Sequence, residues 1–247
     1  MKKQRLDVAL VARGLVDSRT KAQSLIMARR ILVNGLHVDK AGAAVGDDDE
    51  LAIEQLEHPW VGRGGIKLAH ALQQFGIDVR GKVCADVGAS TGGFTDVMLK
   101  SGAAKVYAID VGYGQLDQSL RNDPRVVNRE KVNARYLTAD DFDGPVDFVS
   151  IDVSFIPLKL ILPAVATFLR GELVALIKPQ FEVGKADVGK GGIVRDVAKR
   201  TAAVDSVVAV ARELGFEVKG LIESPIKGAE GNVEYLLWGD YRRAASG

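Results

Sequence analysis

Apolar positions fall into two rhythms along this chain, and the change comes near residue 60. Leu6, Ala9 and Leu10 recur at helical spacing, which predicts a short helix over 5–13 stopped by Gly14. Ser18 is a natural N-cap for a second helix over 19–30, which would set Arg19 and Arg30 three turns apart on one face. Ile31-Leu32-Val33 and Leu36-His37-Val38 flank Asn34-Gly35, two residues that tolerate positive φ, and so predict a hairpin. Residues 49–55 supply a further strand. From Ile66 onward strands and helices alternate. Strands are expected at 83–87, 104–110, 125–128, 146–152, 172–178, 216–223 and 232–239, and helices near 65–75, 93–101, 156–169 and 195–214.

This order predicts an α/β chain. A small α+β domain spans 1–57, a linker 58–63, and a doubly wound, Rossmann-like sheet 64–247. Ser224 to Gly231, between the last two strands, is too short for a parallel crossover, so the last strand should run antiparallel.

Composition narrows the setting. Hydrophobic residues make up 47% and charged residues 26%, enough apolar material for a core. Cys84 is the single cysteine, which excludes an internal disulfide and points to a reducing compartment. Met1-Lys2-Lys3 leads into mixed charge with no apolar core of a signal sequence. The most apolar run, Leu158 to Leu169, falls short of the about 20 residues of a membrane span. A soluble, cytoplasmic protein with no membrane partner is expected. The net charge of +1 conceals a segregation: residues 1–40 hold nine Lys/Arg against three Asp, and residues 41–62 hold six acids and no Lys/Arg. Such an arm is either a nucleic-acid face or a solvated surface.

The strand Val83–Val87 runs through Gly88-Ala89-Ser90-Thr91-Gly92-Gly93 into the helix that opens Phe94-Thr95. Glycines at a strand-to-helix turn let the backbone approach a ligand and aim N–H groups at it. Eighteen residues after Gly92 the next strand ends in Asp110, a carboxylate suited to the hydroxyls of a ribose. The glycines do not follow the G-x-G-x-x-G of dinucleotide enzymes, which disfavours NAD. Gly88–Gly92 also matches the G-x-S-x-G elbow of hydrolases, but His37, His58 and His70 all precede Ser90, and that fold needs its histidine afterwards. Gly184 to Lys190 resembles a phosphate-binding loop but has Gly191 where Ser or Thr should bind magnesium. It is either an RNA-phosphate contact or a surface loop. No CxxC, HExxH or close Cys/His cluster occurs, so no metal site is expected.

Charged residues interrupt apolar runs where strands should end. Asp152 follows Val149-Ser150-Ile151, Lys178 follows Leu173 to Ile177, and Glu234 lies within Asn232 to Trp238; Lys67 sits in the helix before the sheet. Singly, each fits a strand-end charge reaching solvent. Converging, they would mark a site, because buried Lys and Glu are rare unless paired.

On these segments nearly the whole chain resembles the TlyA family, known both as hemolysin A and as ribosomal RNA 2′-O-methyltransferases with an FtsJ-type catalytic domain. The resemblance implies an S-adenosylmethionine-dependent methyltransferase sheet and a catalytic tetrad of Lys67, Asp152, Lys178 and Glu234. It places the cofactor against Asp86, Gly88, Ser90, Gly92, Gly93, Phe94, Thr95 and Asp110, with Asn133 in the Glu130–Arg135 segment beside the adenine. Ser18-Arg19-Thr20-Lys21-Ala22 and Val33-Asn34-Gly35 resemble the RNA-binding domain named for small-subunit ribosomal protein S-four. Arg29-Arg30 departs from the Gly-containing pair usual there. Arg5, Arg19, Lys21, Arg29, Arg30 and Arg63 are the expected RNA contacts, and ribosomal RNA or a ribosomal subunit the expected partner.

The implied reaction transfers a methyl group to a ribose 2′-hydroxyl, in the family a cytidine of small- or large-subunit RNA. A hydroxyl is a weak nucleophile and sheds its proton as it attacks; an amine can take that proton when desolvation or a second ammonium disfavours its charged form. Lys178 is the expected base or orienting group, Asp152 its positioner nearest the methyl, and Lys67 and Glu234 complete the network. The rival readings are a non-catalytic RNA-binding protein on the same scaffold and a membrane-acting hemolysin.

Overall fold

The computed structural model describes residues 3–27, 30–54, 58–184, 187–228 and 230–241, in two compact units, Met1–Pro59 and Trp60–Gly247.

In the first unit, β1 (Gln4–Arg5) leads into α1 (Leu6–Ala12), followed by α2 (Arg19–Met27), β2 (Ile31–Val33), β3 (Leu36–His37), β4 (Ala44–Val45) and β5 (Leu51–Ile53). Leu6, Ala9 and Leu10 are fully buried, as their spacing requires, and pack with Ala22, Ile26 and Ile31. The Lys21 amide donates to the Ser18 hydroxyl at 3.2 Å, capping α2. Asn34 (φ 51°) and Gly35 (φ 78°) make the hairpin turn, with Leu32 opposite His37. The β1–β4 pair had no signature in the sequence, because two-residue strands are too short to show a period. α2 ends at Met27 and Arg30 is not helical, so Arg19 and Arg30 do not share a helix face; Arg29 lies outside the described residues.

The second unit contains α3 (Gly64–Phe75), β6 (Val83–Val87), α4 (Gly93–Lys100), β7 (Lys105–Ile109), α5 (Gln118–Arg121), β8 (Val126–Arg129), β9 (Val146–Ile151), α6 (Leu162–Phe168), β10 (Leu169–Ile177), α7 (Pro179–Glu182), α8 (Val197–Glu213), β11 (Glu217–Glu223) and β12 (Tyr235–Asp240). The sheet order is β11-β12-β10-β9-β6-β7-β8, and β12 runs antiparallel between β10 and β11. The short β11–β12 connection forces that hairpin. Side chains alternate across the sheet: Ala85 and Val87 face one apolar layer, Cys84 the other. Burial pushes the Cys84 thiol up to about 12.

Three expectations need correction. The single helix over 156–169 is a 3-10 turn (Leu158–Leu160) followed by α6, because Pro163, lacking an N–H, is tolerated only in a first turn. β10 starts earlier than expected, at Leu169, with an irregular register before Glu172. β12 starts later than expected, so Glu234 immediately precedes the strand. No helix among the described residues is long and apolar enough to cross a membrane.

Candidate active site

The chain leaves β6 toward β7 and β8 on one side, and returns through β9 and β10 on the other. That reversal opens a crevice beyond the carboxyl ends of β6 and β9, where an open α/β sheet binds ligands. The loop after β6 forms its floor. The Gly88 and Ala89 amides donate to the Ile109 carbonyl at 2.8 and 3.0 Å, tying the loop to the end of β7. A Cβ on Gly88 (φ 90°) would stand 2.5 Å from the Asp152 carbonyl oxygen, so only glycine fits.

Asp110 follows β7 directly, and its carboxylate accepts from the amides of Ser90 at 2.8 Å and Gly112 at 2.6 Å. It lines a 420 Å³ cavity with Gly88, Ser90, Ile109, Val132 and Asn133. The Asn133 side chain also accepts from the Arg135 amide and caps the turn Ala134–Tyr136. A second cavity of 190 Å³ adjoins the first through Gly88, Ser90, Asp152 and Ser154, and adds Gly93, Phe94 and Lys178. One half of the crevice is therefore apolar-walled with an acid at its end, and the other is rimmed by a bare backbone loop. Both suit a nucleoside joined to a small charged group.

The four strand-end and helix charges converge in two pairs. Lys178 Nζ stands 2.6 Å from Asp152 Oδ1, a charge contact outside hydrogen-bond alignment, and donates to Ser154 Oγ at 2.9 Å. Lys67 Nζ donates to Glu234 Oε2 at 2.6 Å, with both residues buried. Lys67, Lys178 and Glu234 line a third cavity of 380 Å³, which meets the other two at Ser154. Its walls include Phe155, Gln180 and Phe181.

The remaining residues expected at the cofactor lie differently. Asp86 and Thr95 are fully buried beneath the loop, where the Thr95 hydroxyl donates to Asp86 at 2.7 Å and the Ser150 hydroxyl at 3.3 Å. Burial pushes the Asp86 carboxyl up to about 7, against the pull of the Thr95 bond. These two shape the loop from below; neither lines the cavities. Gly92 (φ 96°) packs against Leu116 and Leu120. Its role there is steric.

Sequence reasoning missed Ser154, Phe155 and Asn232. Phe155 is 90% exposed at the cavity mouth with φ 64°, a backbone strain that a bulky residue adopts only when its surroundings impose it. Its ring lies 5.0 Å from that of Phe181. A signal was present, an aromatic three positions beyond a strand-end acid, but it is weak without geometry. Asn232 is buried, donates to the Gly192 carbonyl at 2.8 Å and accepts from the Val194 amide at 3.0 Å. It thereby pins the glycine-rich loop, of which Lys185 and Ala186 lie outside the described residues, to the segment bearing Glu234.

A further cavity of 560 Å³ lies at the opposite ends of the strands. Two ion pairs line it, Lys82 with Glu172 at 2.7 Å and Lys219 with Asp240 at 3.6 Å. Among the described residues no group of three His, Cys, Asp or Glu side chains is placed to hold a metal ion.

In the first unit, Arg5, Arg19 and Lys21 are more than half exposed at their side chains. Arg30 is half-buried and donates to the Glu54 carbonyl at 2.9 Å. In the second unit Arg63 is exposed.

Comparison with known proteins supplies relatives for both units. A family model described as FtsJ-like methyltransferase matches residues 60–241, and the S4 domain model matches residues 4–51. The 16S/23S rRNA (cytidine-2′-O)-methyltransferase TlyA of Mycobacterium tuberculosis is 49% identical over 240 residues, covering 96% of this chain and 90% of the relative. Hemolysin A of Brachyspira hyodysenteriae is 44% identical over 94% of this chain and 98% of its own length. A solved structure from Streptococcus thermophilus, provisionally described as a hemolysin, superposes with a TM-score of 0.76 at 45% identity, covering 99% of this chain and 90% of that one.

Proposed function

This chain belongs to the TlyA branch of the FtsJ-like methyltransferase family, and we propose that it transfers a methyl group from S-adenosylmethionine to a ribose 2′-hydroxyl of ribosomal RNA, with cytidine as the target nucleoside. The observation that carries this reading is the Lys178–Asp152 pair standing where the crevice under the glycine loop meets the cavity of Lys67 and Glu234.

The residues present fit the cofactor. Asp110 would hold its ribose hydroxyls, Asn133 would lie beside its adenine, and the Gly88–Gly93 loop with Phe94 would close around its amino-acid end. Bound there, S-adenosylmethionine supplies an electrophilic methyl group on a sulfonium.

The chain's own residues manage the hydroxyl. Lys178 Nζ orients its oxygen or takes its proton, and Ser154 Oγ and Asp152 hold that amine at the cavity junction. Glu234 fixes Lys67, whose ammonium lines the same cavity as Lys178. Most of the acceleration would come from holding the hydroxyl in line, worth about 7–11 kcal/mol in favourable intramolecular models. The exposed Phe155 ring offers a stacking face for a base. The 1–57 domain, with Arg5, Arg19, Lys21, Arg29 and Arg30, and Arg63 beyond it, would bind RNA phosphates. This reading places the protein in the cytoplasm with the ribosome.

Mapping ribose methylation in ribosomal RNA from cells with and without this protein tests the proposal. A 2′-O-methyl mark that disappears with the protein is expected. An unchanged methylation map, with the protein still bound to RNA, would favour the non-catalytic reading.

A further inference from the structure

The first unit buries a carboxylate under its basic face. Asp7, in the first turn of α1, is fully buried, yet four side-chain N–H groups converge on it. Arg5 donates from Nε to Oδ1 at 3.0 Å and from Nη2 to Oδ2 at 3.1 Å. Arg19 Nε and Gln23 Nε2 each donate to Oδ2 at 2.8 Å. Both arginine side chains, by contrast, are about half exposed, at 51% and 56%.

The donor count shows what this arrangement leaves over. A guanidinium carries five N–H groups in a fixed plane. Arg5 spends two on Asp7 and Arg19 spends one, so most of their donors remain for a ligand. One carboxylate cannot neutralise two guanidiniums, and the cluster keeps a net positive charge. Without the carboxylate the two cations would repel each other and sample many rotamers; with it, each planar fork is fixed before a ligand arrives. Backbone packing supports the same geometry, since a Cβ on Gly42 would stand 3.2 Å from Arg5 Nη1. The three donor side chains hold the Asp7 carboxyl well below the usual carboxylate range, so it stays ionised.

We propose that Asp7 is a positioning residue for RNA binding, a buried anion that presets Arg5 and Arg19 as a paired phosphate fork. The inference rests on the RNA-binding reading of the first unit and adds a mechanism to it. Removing this negative charge from beneath the two arginines should therefore weaken their hold on a polyanion. Were Asp7 only a charge on that face, its removal would tighten RNA binding.

The test is equilibrium binding of the full chain to transcribed ribosomal RNA across a salt series, for the parent and for Asp7→Asn, with thermal unfolding as the check on folding. Each phosphate contact contributes about 0.7–0.9 log units of affinity per tenfold change in salt. Asp7→Asn is expected to bind at least several-fold more weakly with a slope shallower by roughly one contact, while Arg5→Ala and Arg19→Ala each lose a contact. Tighter binding with an equal or steeper slope in folded Asp7→Asn would overturn the proposal. Should Asp7→Asn fail to fold, Arg5→Ala, Arg19→Ala and the double variant decide. A shared clamp makes their losses overlap, so the double variant loses less than the sum; strict additivity would overturn the clamp. A parent protein whose RNA affinity shows no salt dependence would instead overturn the RNA-binding reading, and this inference with it.

Discussion

Lys178 and Asp152 occupy the first positions beyond two neighbouring parallel strands, and their side chains close to 2.6 Å across the gap between those strand ends. Sheet pairing sets that distance, because β9 and β10 run in register up to Ala175 opposite Ile151. The second pair, Lys67 with Glu234, joins the helix before the sheet to the residue just before its antiparallel strand. Four distant segments thus deliver two ion pairs to adjoining cavities.

Asp110 should govern cofactor affinity more than turnover. Its carboxylate both faces the cavity and holds the Ser90 and Gly112 amides, so under the proposed function Asp110→Ala would remove a ribose partner and loosen the loop. Calorimetry is expected to show S-adenosylmethionine binding weakened by about tenfold or more, the worth of roughly one charge-assisted hydrogen bond, with activity partly restored at high cofactor. Unchanged affinity would remove Asp110 from the site.

The Lys67–Glu234 pair should be costly to break from either side. Both residues are buried, and removing one partner strands the other's charge, a loss of about 3–5 kcal/mol. Lys67→Met and Glu234→Gln are each expected to lower the denaturation midpoint markedly. The double variant should be more stable than the sum of the two losses implies. Additive losses would show that the two charges do not depend on each other.

Much of this was legible in the sequence, for identifiable reasons. Leu6, Ala9 and Leu10 carry a helical period, and Asn34-Gly35 announces its turn, so both elements appear where expected. Asp152, Lys178 and Glu234 stand out as charges on or beside apolar runs, Lys67 joins them through the family resemblance, and the fold brings the four together in pairs. What stayed hidden depends on contacts between distant segments. Nothing in Arg5-Leu6-Asp7 says that the acid turns inward beneath Arg19 and Gln23. Asp86 and Thr95 sit inside the cofactor motif, and only the packed structure shows that they support the loop from below. Pro163 was visible, but its power to split the 156–169 helix depends on where the first turn falls.

Glu182 gives the fold a pH dependence of known sign. Burial pushes its carboxyl up to about 6, although the Leu158 amide donates to it at 2.9 Å. A carboxyl whose folded pKa exceeds its unfolded one, near the ordinary ~4.3, favours folding while protonated, and that contribution is lost as pH rises through about 6. Glu182→Gln keeps an acceptor for Leu158 and removes the charge. Thermal unfolding should show the variant gaining stability over the parent between pH 5 and pH 8, by on the order of 1 kcal/mol. A stability difference that is flat across this range would contradict the account.

The assignment of Lys178 to the reacting hydroxyl is tested most directly by one paired measurement on Lys178→Ala: single-turnover transfer of radiolabelled methyl to ribosomal RNA, with S-adenosylmethionine affinity by calorimetry on the same preparation. Lys178 Nζ stands where the cofactor crevice meets the Lys67–Glu234 cavity, and it touches Asp152 and Ser154. Transfer is expected to fall by about 10²-fold or more, the usual worth of an acid–base group, with cofactor affinity close to the parent's. Transfer near the parent rate, in a variant that binds cofactor normally, would contradict the central claim.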